Sequence, residues 1–72
     1  MTIESTVNVF VLQHVRESED DEDVKLLGIY SSERNALNAQ KRFSTKSGFI
    51  QYPEGFFIDK YVLDKDYWLE GF

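Results

Sequence analysis

There is no cysteine anywhere in this 72-residue chain. Disulfides, thiolate metal sites and cysteine nucleophiles are thereby excluded. Small secreted domains commonly lean on disulfides, so their absence points to a reducing compartment. Long apolar runs are missing as well. The longest, Val9-Phe10-Val11-Leu12, is far shorter than a bilayer-spanning helix requires, so no membrane association is expected. The opening Met1-Thr2-Ile3-Glu4 has neither a basic segment nor an apolar stretch. No signal peptide is expected, and the cytoplasm is the expected location. Positive charge is scarce, with 8 Lys and Arg against 13 Asp and Glu and a net charge of −5. Affinity for nucleic acid comes largely from cations that displace counterions on phosphates, so direct nucleic-acid binding is not expected. The four glycines are dispersed, and neither GxGxxG nor GxxxxGK[ST] occurs, so no phosphate-binding loop is present.

Aromatic residues, in contrast, make up 15% of the chain. Acidic disordered proteins are poor in aromatics, so this chain is expected to fold around a core. Its length accommodates one domain, residues 1–72, of modest stability.

The period of the apolar residues locates the elements. Residues 7–15 alternate as a strand does, with Val7, Val9, Val11 and Val15 on one face and Phe10, Leu12 and His14 on the other. An element apolar on both faces suits the centre of a sheet. Residues 16–23 are charged apart from Ser18, and residues 17–23 are expected to be mobile or irregular. Val24 to Tyr30 reads as a second strand, joined to the first in an antiparallel but not tight hairpin. Ser31 and Ser32 suit a helix N-cap. Ala36, Ala39, Gln40 and Phe43 then fall on one helical face, and Gly48 is the expected terminator of a helix over 32–46. Tyr52-Pro53-Glu54-Gly55 has the pattern of a type I turn, and Phe56 to Leu63 follows as a third strand. Gly28, inside a strand, signals a bulge or a close backbone approach. The expected fold is α+β, in the order β-β-α-β, with strand order 2-1-3 and one helix on one face of a three-stranded sheet. That helix shields one face only, whereas all three strands carry large apolar side chains on both.

The sequence offers little chemistry. His14 is the only histidine, and no Gly-x-Ser-x-Gly elbow or other nucleophile context accompanies it. No catalytic residue is assigned, and the chain is not expected to be an enzyme. The acidic run Glu17 to Asp23 lacks the central glycine of a calcium-binding loop, so no metal site is assigned, and no cofactor. Asp64, Asp66 and Glu70 lie among Tyr67, Trp68 and Phe72, but a chain this short has no room for a sugar-binding cleft around them.

The segment Lys25-Leu26-Leu27-Gly28-Ile29-Tyr30-Ser31-Ser32 resembles a family of short bacterial proteins of unassigned function that read KLIGVYSS there. The close, Tyr61-Val62-Leu63-Asp64-Lys65-Asp66-Tyr67-Trp68-Leu69-Glu70-Gly71-Phe72, is similar to their Y-x-L-D-K-D-x-W-x-E-G-F, and Val11-Leu12-Gln13-His14 also fits. The resemblance implies a bacterial or phage origin and a stand-alone small domain, and brings no activity with it.

The reading that remains is a small acidic protein-binding module, of the inhibitor or immunity type, for a basic partner, or one that self-associates as a dimer. Its contact residues are expected among Phe57, Tyr61, Tyr67, Trp68 and Phe72 and in the acidic loop at Glu19, Asp20 and Asp21. The alternative is a ligand-binding or enzymatic site at a dimer interface, using His14 and a carboxylate such as Asp59.

Overall fold

The computed structural model describes residues 7–68. They form β1 (Asn8–Glu17), β2 (Glu22–Tyr30), α1 (Glu33–Ser44) and β3 (Phe56–Val62). The three strands make one sheet in the order β2-β1-β3, with β1 antiparallel to both neighbours. This is the α+β arrangement that the alternation of β1 predicts. β2 and β3 therefore run parallel on either side of β1, and α1 is the crossover between them.

The hairpin corrects the expectation of an irregular segment over 17–23. β1 continues through Glu17 and β2 starts at Glu22, so the chain reverses over Ser18–Asp21 alone. The Ser18 amide and hydroxyl both donate to the Asp21 carbonyl, at 2.8 and 3.2 Å, and the Glu22 amide donates to Asp21 Oδ1 at 2.8 Å. The ladder extends there because backbone pairing carries it where no side chain is buried. Arg16 lies opposite Asp23, a favourable cross-strand pair.

Between Leu12 and Gln13 the register shifts: Leu12 pairs with Gly28 and Gln13 with Leu26, so Leu27 is the extra residue of a bulge. Gly28 also lies under the Tyr30 ring, where an added Cβ would come 2.7 Å from Tyr30 Cζ. The bulge expected at Gly28 is present, and what packs closely on it is the Tyr30 side chain rather than another backbone segment.

α1 is shorter than the 32–46 expected. Ser32 is its N-cap, accepting at Oγ from the Asn35 amide at 3.1 Å, and Thr45 is its C-cap. Gly48 is not the terminator. It lies three residues beyond Thr45 with φ 96°, in the chain of turns that leads to β3. Ser32→Ala is expected to lower stability by about 1 kcal/mol, the usual value of a helix cap, measurable as a shift in urea midpoint.

Leu12, Ala36 and Ala39 are fully buried and His14 nearly so. Because Leu12 and His14 share a face of β1, α1 covers the face of Phe10, Leu12, His14, Phe56 and Ile58. The Cα atoms span 50 × 33 × 13 Å with a radius of gyration of 15.1 Å. A compact chain of this length has a radius of about 11 Å, so the molecule is a thin slab, one sheet and one helix deep.

Candidate functional sites: the open sheet face and the His14 cluster

Cross-strand pairing determines which side chains share the face opposite α1. Val11 pairs with Ile29 and Asp59, Val9 with Tyr61, Gln13 with Leu26 and Phe57, and Val15 with Val24. These residues form the open face. Leu26 and Ile29 are each 60% exposed and Phe57 is 52% exposed, while Val24 and Tyr61 are also exposed. On the α1 side the corresponding positions hold the buried core. The sheet is thus apolar on both sides and, among the described residues, layered by a helix on one.

The chain after β3 reaches one corner of this face. Asp64 takes a left-handed conformation, φ 59°, and turns the chain back. The Tyr67 ring then meets Tyr61 edge-on at 5.2 Å, and its hydroxyl accepts the outward amide of Val62 at 2.7 Å. Tyr67 thereby caps part of the β3 edge and shields Tyr61 in part, and Trp68 beside it is 65% exposed. Phe72, also expected as a contact residue, lies outside the described residues.

The expected contact residues do not form one patch. Phe57 and Tyr61 belong to the open face, and Tyr67 flanks it. Glu19, Asp20 and Asp21 are exposed in the hairpin turn, at the opposite end of β1 from the Tyr61–Tyr67 pair. Eight residue steps of strand separate Val9 from Glu17, a span of about 27 Å. The sequence lists these groups together because it shows their chemistry but not their positions along the sheet.

His14 belongs to the other side. Its Nε2 lies 2.9 Å from the Tyr52 carbonyl oxygen, which can only accept, so Nε2 carries the proton. Phe49 and Phe56 pack edge-on against its ring at 4.8 and 4.7 Å. Phe43 joins Phe49 at 5.8 Å, so the aromatic cluster runs from β1 through the turns to α1. Gly55 closes the site, donating its amide to the Tyr52 carbonyl at 3.1 Å while its own carbonyl accepts from Val15 at 2.8 Å. A hydrogen-bonded turn over Tyr52–Gly55 is thus present where the sequence predicts one, and His14 and Gly55 both bond to its first carbonyl. His14 and Asp59 project from opposite faces of the sheet, so a single chain does not bring them together.

Among the described residues, no group of three or more histidines and carboxylates is placed to hold a metal ion. No helix of those residues is long and apolar enough to cross a membrane. The Lys25 ammonium bonded to Asp23 holds its carboxyl below the ordinary aspartate value.

The chain belongs to the family of the domain of unknown function DUF7336, whose sequence model matches residues 7–72. No curated protein matches the chain, and neither does any solved structure.

Proposed function

We propose that this domain is a protein-binding module whose docking surface is the open sheet face. The observation that carries this reading is the exposure of Val24, Leu26 and Ile29 on β2 and of Phe57 and Tyr61 on β3, all on the one sheet face that also carries the half-buried Val9, Val11 and Val15 of β1 between them. Contiguous apolar surface of this kind is uncommon on a protein that works alone. Each such side chain moved from water to a dry contact contributes on the order of 1 kcal/mol. The flat shape of the slab supports the same reading, because a second layer over this face gives the sheet the two-sided cover its side chains suit. Enzymatic chemistry has less support, since the Nε2 proton of the single histidine is engaged by a backbone carbonyl within an aromatic cluster.

The test is a pair of surface substitutions, Leu26→Ser with Phe57→Ser. Both positions are more than half exposed, so the urea midpoint is expected to stay within about 1 kcal/mol of the parent. Association, read by sedimentation and by affinity capture from the host with mass spectrometry, is expected to disappear. Leu37→Ser, on the exposed side of α1, serves as the control and is expected to leave association intact. Equal association by the parent and the double variant would sink the proposal.

A further inference from the structure

The charges of the sheet are sorted by side. Among the charged residues of the three strands, Arg16, Lys25 and Lys60 all project on the side of α1, together with Asp23, which is paired to Lys25. Glu17, Glu22 and Asp59 project on the open side. The open face therefore presents an apolar floor with acids and no base from its own strands. Glu17 and Glu22 are directly opposed across the ladder, a mutually repulsive pair that no strand cation on this face relieves.

At this acidic end the surface is concave. A depression of about 440 Å³ is lined by Val15 and Phe57 and by the turn residues Tyr52 and Pro53, with Glu17 and Glu54 among its walls. An apolar floor beneath carboxylates matches the two parts of a lysine or arginine side chain, whose methylene stem packs while its head stays with the charge, and the chain's own Arg16 guanidinium already lies 5.4 Å from the centre of the Tyr52 ring that lines it.

We infer that the partner of the open face is a single basic amphipathic helix, laid with its apolar stripe on Leu26, Ile29, Phe57 and Tyr61 and its cations toward Glu17, Glu22 and Asp59. This rests on the open face being a docking surface and specifies what docks there. Width supports one helix. Strands about 4.8 Å apart place β2 and β3 about 10 Å from each other across β1, which is the diameter of one helix. α1 already lies across all three strands on the opposite face. A second copy of this chain fits less well, because joining two open faces encloses the acids of both with no strand cation between them.

The test uses three synthetic helical peptides of about 18 residues with the same leucine stripe and with lysine, glutamine or glutamate on the polar face. Binding is followed by amide chemical shifts of the full chain. The lysine peptide is expected to bind at least about tenfold more tightly than the glutamine peptide in about 50 mM salt, and to lose most of that advantage near 500 mM. Its shifts are expected at Val11, Ile29 and Phe57. Glu22→Lys with Asp59→Lys, at exposed positions, is expected to reverse the preference toward the glutamate peptide. Equal binding of the lysine and glutamine peptides overturns the inference and leaves the docking surface standing. Self-association that Leu26→Ser with Phe57→Ser abolishes, without peptide binding, makes a second copy the occupant and also overturns it. A monomer that binds none of the peptides overturns the inference, and the docking surface is then decided by capture from the host.

Discussion

Leu12→Ala is expected to remove about 3–4 kcal/mol of stability, the largest loss available from a single truncation in this core. Leu12 has no exposed surface, and its neighbours across the ladder are Gly28 and Ile58. The loss has two parts, the transfer energy of the deleted methyl groups and the cavity they leave. How far the cavity collapses decides the size of the second. Here the surroundings have little to move inward: Gly28 has no side chain, and the buried residues of α1 are Ala36 and Ala39. Domains are stable by about 0.05–0.15 kcal/mol per residue, so a chain this size has roughly 4–10 kcal/mol in all. The variant therefore retains between almost none and about two-thirds of that. The measurement is urea unfolding, with the midpoint moving and the slope unchanged. Leu26→Ala, at a 60% exposed position, is the comparison and is expected to lose less than about 1 kcal/mol. Similar losses at the two positions would mean that the core lies elsewhere.

The contrast between Leu12 and Leu26 also shows what the sequence could convey. The alternation through Val9, Phe10, Val11 and Leu12 identifies a central strand, and strand order 2-1-3 follows once β1 has to be flanked on both edges. Which parity of β1 faces the helix does not follow, because both parities offer apolar side chains. A signal was nevertheless present. Glu17 shares its parity with Val9 and Val11, and Asp59 pairs with Val11, so the acids gather on the face that stays open. The acidic hairpin was less legible, since its order comes from backbone pairing and from Ser18 and Asp21 rather than from any buried residue. Phe49 was not legible at all. It lies in a segment without period, and only the folded chain brings it against His14, Phe43 and Phe56.

His14→Ala is expected to lose about 3 kcal/mol, and His14→Phe about 1–2 kcal/mol, by the same urea measurement. The ring is 2% exposed and does two things at once. It fills the space between Phe49 and Phe56, and it donates from Nε2 to the Tyr52 carbonyl, 38 residues away in sequence. Alanine removes both, leaving a gap in an aromatic cluster and a carbonyl that keeps only the Gly55 amide. Phenylalanine restores most of the volume and removes only the donor, so the difference between the variants separates packing from hydrogen bonding. Because the Tyr52 carbonyl heads the turn that enters β3, its loosening is expected to raise amide exchange at Val15 and Gly55 before the rest of the sheet responds. A different outcome is expected if the ring is retained for a reaction rather than for the fold. His14→Ala would then keep its urea midpoint within about 1 kcal/mol of the parent, as substitutions outside a packed core do. That result would remove the structural role assigned to His14.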